Sequence, residues 1–229
     1  MGSFDPKGVA GRRAAEFVES GMTLGLGTGS TVFYALVRIA ERVAEQGLRV
    51  RGVPTSLDTE RKAREMGIAI VQLADVATLD LTIDGADEID ARFDMIKGGG
   101  GALLREKVVA SISKREVIVA GPDKVVERLG RAFALPVEVV PFARSMVMRA
   151  LEQLGSEPRV RESKAGAVYR TDNGNEILDC RFAHGIEHAA QLERAIDAIP
   201  GVVESGLFIG LAHVLVIGRA DGSAEVRER

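Results

Sequence analysis

The sequence predicts an α/β protein: a Rossmann-like, mostly parallel sheet with helices on both faces, plus a smaller ferredoxin-like α+β domain. Two observations carry most of that reading. The first half alternates helical periodicity with short β-branched or Leu-rich runs, the texture of parallel strands covered on both faces. After about residue 130 the order becomes strand, helix, strand, strand, helix, strand, which is the split βαβ motif. A third observation, the apolar run Ala212–Gly218, is assigned back to the first sheet. The expected domains are therefore 1–130 with 206–229, and 131–205.

In the first domain helices are expected over Lys7–Glu19, Thr31–Gln46, Leu57–Met66 and Ala102–Lys114. Strands are expected between them at Thr23–Leu26, Arg49–Val53, Ile68–Leu73, Leu79–Ile83 and Glu116–Ala120. On the fourth helix Leu104, Val108 and Ile112 form an i, i+4 stripe expected to face the core, with Glu106 off that stripe. In the second domain Leu135–Val140 reads as a strand and Phe142–Leu154 as a helix, with Met146, Val147, Ala150 and Leu154 on one face. Strands Ala167–Thr171 and Asn175–Phe182 flank the turn Asp172-Asn173-Gly174. A helix over His188–Ile199 stops at Pro200-Gly201, and Val202–Glu204 reads as the last strand.

Composition excludes several classes of partner. The 229 residues carry 30 Lys+Arg and 33 Asp+Glu, a net charge of −3 without basic runs, which argues against nucleic acid. With no Trp, 2 Tyr and 8 Phe, base-stacking platforms and membrane aromatic belts are poorly supplied. No apolar stretch reaches the length of a membrane span, Met1–Phe17 lacks the apolar region of a signal peptide, and a cytoplasmic location is expected. The single cysteine, Cys180, excludes an internal disulfide framework and reads as a small core residue. Glycine is in surplus: 26 are present, against roughly 16 at average usage.

Three loops use that surplus. Gly25-Leu26-Gly27-Thr28-Gly29-Ser30-Thr31 follows a strand and opens a helix, a setting in which inward backbone N–H groups and a helix N-terminus suit a phosphate. It is neither a dinucleotide fingerprint, because Ser30 takes the third glycine position, nor a Walker A loop. Asp84-Gly85-Ala86-Asp87-Glu88 stands at the C-terminal end of a strand, where ligands bind in open α/β sheets. Its three carboxylates suit metal binding, hydroxyl binding or acid–base work, but Ala86 breaks the calcium-loop pattern. Lys97-Gly98-Gly99-Gly100-Gly101 runs into the fourth helix, where Glu106 can lean back over the glycines. In consecutive β-to-α positions of one sheet, the three loops are expected to converge.

These loops, with KGGGGALLREK over Lys97–Lys107, closely resemble the motifs of the A-type ribose-5-phosphate isomerases. Leu135–Arg144, Thr171–Leu178 and Pro200–Ile209 also resemble segments of that family, in family order. The resemblance implies an aldose–ketose isomerase of the non-oxidative pentose phosphate pathway, acting on a small sugar phosphate, with no cofactor and no metal, assembled as a homodimer or homotetramer. It implies that Thr28, Gly29, Ser30 and Thr31 hold the substrate, chiefly its phosphate. Asp84, Gly85, Ala86 and Asp87 would line the sugar, as would Lys97, Gly98, Gly99 and Gly100. Glu106 would be the base, Lys124 a substrate-binding lysine, and Lys7 a phosphate contact. One departure stands out: Gly121 occupies a position the family usually fills with Asp, and Asp123 lies two residues later.

On that basis Asp84, with Asp87, is expected to transfer protons as the sugar ring opens, and Lys97 to stabilise the enediolate oxygen. An ordinary Glu titrates near about 4.3, and partial burial of Glu106 is expected to raise it toward usefulness as a base. Two features read as decoys. His184-Gly185-Ile186-Glu187-His188 has a zinc-protease spacing, but Gly185 after a strand breaks the continuous helix it needs. His213, in an apolar run, reads as a satisfied or edge histidine.

Overall fold

The computed structural model of the chain describes residues 4–229. In chain order the first 125 residues contain α1 (Pro6–Ala15), β1 (Thr23–Leu26), α2 (Ser30–Gln46), β2 (Arg51–Pro54), α3 (Leu57–Glu65), β3 (Ala69–Ile70), β4 (Leu81–Gly85), β5 (Glu88–Ile89), β6 (Met95–Ile96), α4 (Leu103–Ser111) and β7 (Glu116–Ala120). Then follow β8 (Leu135–Val139), α5 (Arg144–Gln153), β9 (Glu157–Val160), β10 (Glu176–Arg181), α6 (Ala189–Asp197), β11 (Val202–Ser205), β12 (Leu207–Phe208), β13 (Val214–Gly218) and β14 (Ala224–Glu228). Local chemistry sets several boundaries. The Asp5 carboxylate accepts the Lys7 N–H and Pro6 opens α1, while Gly47, at φ 68°, closes α2 in the left-handed conformation.

The chain forms two compact units: one runs up to Ala86 and includes Arg105–Val125 and Leu211–Arg229; the other comprises Asp87–Leu104 and Val126–Gly210. Among the described residues, the first unit has a seven-stranded sheet in the order β14-β13-β7-β4-β1-β2-β3. All its neighbours pair in parallel except the edge strand β14, which is antiparallel to β13. The run at Ala212–Gly218 thus joins the first sheet, beside β7. Leu24, Leu26, Leu81, Ile83, Val117, Val119, Val214 and Val216 pack under Ala10, Ala14, Val32, Ala35 and Ile39 of α1 and α2. Leu26 is in register with Ile83, so Gly27, the first residue beyond β1, falls level with Asp84, which is still paired with Ile118 of β7.

The second unit contains the ferredoxin-like sheet, antiparallel in the order β11-β8-β10-β9, with Val147, Leu151, Ala189 and Ile196 of α5 and α6 packed on Leu135, Val137, Val139, Leu178 and Cys180. Its second strand is Glu157–Val160, not Ala167–Thr171. Pro158 obscures that strand in the sequence but is tolerated because β9 is a sheet edge. Val168 makes only an isolated bridge to Glu162. The short strands β5, β6 and β12 form a further sheet within this unit. That pairing groups Asp87–Leu104 with Val126–Gly210, so the units divide the chain differently from the boundaries expected near residues 130 and 206.

Candidate active site

In the first unit, the loop between β1 and α2 is held from below by hydroxyl groups. Thr28 Oγ1 donates to Ser56 Oγ at 2.8 Å and lies 2.8 Å from Thr55 Oγ1 and 3.2 Å from Thr59 Oγ1. Thr55 and Thr59 pass their own protons to the carbonyls of Leu26 and Gly27, at 3.2 and 2.9 Å. Ser56 also caps α3 by accepting the Thr59 N–H at 3.1 Å. Thr55, Ser56 and Thr59 were not candidates from the sequence; the signal available was the Ser-x-x-Thr spacing at a helix start. Gly29, at φ 126°, is the N-cap of α2, which leaves Ser30 and Thr31 in its first turn, Ser30 exposed and Thr31 partly so. Lys7 Nζ donates to Ser30 Oγ at 3.1 Å, so the expected phosphate contacts Lys7 and Ser30 meet directly.

Asp84 closes the other side of this loop. Its side chain is buried, and Oδ1 accepts the N–H groups of Thr28 at 3.1 Å and Gly85 at 2.7 Å. A Cβ on Gly27 would strike the Asp84 carboxylate and lie 2.6 Å from the Ile83 carbonyl, which is why this turn needs glycine. Lys124 sits in a short 3₁₀ turn, with Nζ 3.7 Å from Asp123. A Cβ at Gly121 would stand 2.5 Å from Asp123 Oδ1, so the displaced Asp123 carboxylate lies over the position that Gly121 leaves open.

Glu106 lies in the first turn of α4 and is 4% exposed. The expected stripe is corrected here: Leu103, Val109 and Ala110 are buried, whereas Val108 is 36% exposed. Glu106 therefore lies on the buried face, three residues from Leu103 and from Val109, not off it. The helix has apolar residues on several sides, so their spacing alone does not choose the buried one.

In the second unit, Asp87 and the glycine loop meet: Asp87 Oδ2 accepts the Gly99 N–H at 2.7 Å. Lys97 is buried, its backbone N–H bonded to Gly206 O at 2.9 Å and its Nζ 5.4 Å from the centre of the Phe208 ring. Gly98 and Gly101 adopt φ of 106° and 80°, and Gly98, Gly99 and Gly100 form an ordered turn closed by Gly101 N–H to Gly98 O. The third carboxylate of the acidic motif has a different task. Glu88 is buried and accepts the N–H groups of Gly130, Ala132 and Phe133 at 2.6, 3.0 and 2.7 Å, pinning that loop. Gly85 and Ala86 connect the two carboxylates, Asp84 and Asp87.

The decoy residues are accounted for locally. His188 is the N-cap of α6 and Gly185 has φ 74°, so His184 and His188 share no helix. Among the described residues no group of three or more His, Cys, Asp or Glu side chains is arranged to hold a metal ion. His213 Nδ1 accepts the Glu116 N–H at 3.1 Å. Cys180 is fully buried, and that burial pushes its thiol up to about 12.

Residues 51–222 match the family model described as ribose 5-phosphate isomerase A (phosphoriboisomerase A). The chain is 46% identical to a ribose-5-phosphate isomerase A of Listeria innocua, covering 96% of this chain and 97% of that one. It is 52% identical to one from Gloeobacter violaceus, with 94% and 93% covered. Among solved structures, the ribose 5-phosphate isomerase of Plasmodium falciparum superposes with a TM-score of 0.94 at 37% identity, over 97% of each chain. A D-ribose-5-phosphate isomerase in complex with phospho-erythronic acid gives 0.95 at 31% identity, over 99% of this chain and 100% of that one. With its mostly parallel sheet, its glycine loops and matches of this length, the chain belongs to the ribose 5-phosphate isomerase A family.

Proposed function

We propose that the chain interconverts D-ribose 5-phosphate and D-ribulose 5-phosphate through a cis-enediolate, with Glu106 as the base. The observation that carries this reading is a buried carboxylate one turn into α4, directly after a tetraglycine loop, in a chain of this family. Glu106 takes the C2 proton of the open-chain aldehyde; the C2–H electron pair becomes the C1–C2 double bond and the carbonyl pair moves to O1. Lys97 stabilises the negative oxygen as a preorganised cation. The O2 proton is lost as O2 becomes a carbonyl, O1 is protonated, and Glu106 returns its proton to C1. One carboxylate on one face thus serves both carbons.

Asp84, with Asp87, moves protons between the ring oxygen and the anomeric hydroxyl as the sugar opens. Thr28, Gly29, Ser30 and Thr31 hold the phosphate with Lys7 and Lys124, while Gly85, Ala86, Gly98, Gly99 and Gly100 line the sugar. Binding energy from the phosphate, remote from C1 and C2, orients the reacting carbons. The phospho-erythronic acid in complex with that relative is a phosphorylated acid of a kind that suits such a division.

The test is a coupled assay of ribose 5-phosphate conversion, with and without chelator, repeated in deuterium oxide. Conversion that survives chelation and brings solvent deuterium onto C1 or C2 is the expected result. Absence of conversion by folded protein overturns the reading, and a loss of activity on chelation removes its metal-free form. We further infer a homodimer or homotetramer in the cytoplasm. No helix among the described residues is long and apolar enough to cross a membrane. Phe142 is 99% exposed beside partly exposed Val140 and Met146, apolar surface of the kind a subunit contact covers.

A further inference from the structure

Four consecutive glycines give the chain maximal freedom, and ordering them costs conformational entropy. Yet Gly98–Gly101 is held through two of its N–H groups and three of its carbonyls. Asp87 takes the Gly99 N–H, and Gly101 N–H closes onto Gly98 O. The carbonyls of Gly98 and Gly99 are both taken by one side chain: Arg161 Nη1 donates to them at 2.8 and 3.2 Å. The remaining edge of the same guanidinium is committed elsewhere. Its Nε donates to Asp179 Oδ2 at 2.9 Å and its Nη2 to Asp179 Oδ1. Tyr169 completes the clamp, its hydroxyl 3.3 Å from Gly100 O and its ring 5.9 Å beneath the Arg161 guanidinium. A Cβ on Gly101 would strike that hydroxyl and approach Tyr169 Cε1 to 2.7 Å.

We infer that Arg161, oriented by Asp179 and stacked on Tyr169, is a positioning residue for the isomerisation, holding the glycine loop so that Lys97 presents its ammonium to the enediolate. This rests on the role proposed above for Lys97. The geometry asks for a planar fork: one edge grips a carboxylate while a third N–H reaches two carbonyls on a neighbouring segment. Lysine, a point charge with three rotatable donors, cannot do both. Because the clamp acts on a loop carrying a transition-state contact, its loss falls on kcat more than on KM. The sequence offers no local sign of it, since Arg161 lies 62 residues beyond Gly99.

The test compares Arg161→Ala, Arg161→Lys and Asp179→Asn with wild type in the ribose 5-phosphate assay, each checked for folding by circular dichroism and thermal melting. Both Arg161 variants are expected to lose about 10²-fold in kcat, the scale of an ångström-level misplacement, with KM little changed. Added guanidinium ion is expected to restore part of the Arg161→Ala activity, which a merely structural lesion would not allow. If Arg161→Ala does not fold, the kcat of folded Arg161→Lys decides. Folded Arg161 variants with wild-type kcat, or a rise in KM alone, overturn the inference. Lys97→Met separates the two proposals: wild-type activity there would sink the role of Lys97 itself, whereas an inactive Lys97→Met beside fully active Arg161 variants would sink only the clamp.

Discussion

The Asp84 carboxylate accepts the backbone N–H of Thr28 at 3.1 Å, joining the turn after β1 to the end of β4. The same oxygen also accepts the Gly85 N–H, so one side chain sets the backbone of the glycine loop after β1 and the acidic loop together. A residue proposed for proton transfer is therefore also a strut.

Asp84→Asn separates those two tasks. The amide oxygen can still accept both N–H groups, so the loop should keep its shape while proton transfer is lost. We expect kcat to fall by about 10²–10⁴-fold with KM changed little. Asp84→Ala removes the acceptor as well, leaves buried donors unmet at a cost of about 1–3 kcal/mol, and should also lower the melting temperature. Steady-state kinetics with thermal melts distinguishes the variants; wild-type turnover in Asp84→Asn would exclude the proton-transfer role.

Glu106→Gln keeps the size of the buried side chain and removes its basicity. Turnover should be abolished while binding of ribose 5-phosphate, measured by calorimetry, stays near the wild-type level. Substantial residual isomerisation would take the base role away from Glu106.

Glu88, four residues after Asp84, should behave oppositely. Its carboxylate satisfies three backbone N–H groups, so Glu88→Ala is expected to cost about 1–3 kcal/mol or more in stability. Activity per folded molecule should change far less than in Asp84→Asn. A denaturant melt that matches wild type, with activity abolished, would reverse that assignment.

Cys180 should be inert in the native protein. Burial raises its thiol to about 12, so at pH 8 the reactive thiolate is scarce and shielded. Iodoacetamide should label it only after denaturation. The linkage has a definite sign: the folded value is raised above the unfolded one, near about 8.5. This group's contribution to stability is thus intact below pH 8.5 and declines as pH rises toward 12. Rapid labelling of native protein at pH 8 would contradict the burial.

Much of this was legible in the residues because the physics was local. Apolar runs and helical spacing identified β1, β7 and α2 nearly to the residue, and a glycine loop between a strand and a helix start offers N–H groups that suit a phosphate. The strand at Glu157–Val160 escaped notice because Pro158 is acceptable only at an edge, and edge position is a property of the sheet.

Residue chemistry and spacing were enough for the fold class, the two glycine loops and the choice of candidate acids and bases. Backbone freedom, helix starts and charge are properties of a residue and its near neighbours, so a linear reading reaches them. The tertiary structure alone decided which face of α4 is buried, and that Glu106 shares it with Leu103 and Val109. It also decided that Asp84 and Glu88, from one motif, serve different backbones, and that Arg161 closes on carbonyls 62 and 63 residues away. Those outcomes depend on which segments pack together, and no spacing along the chain encodes that.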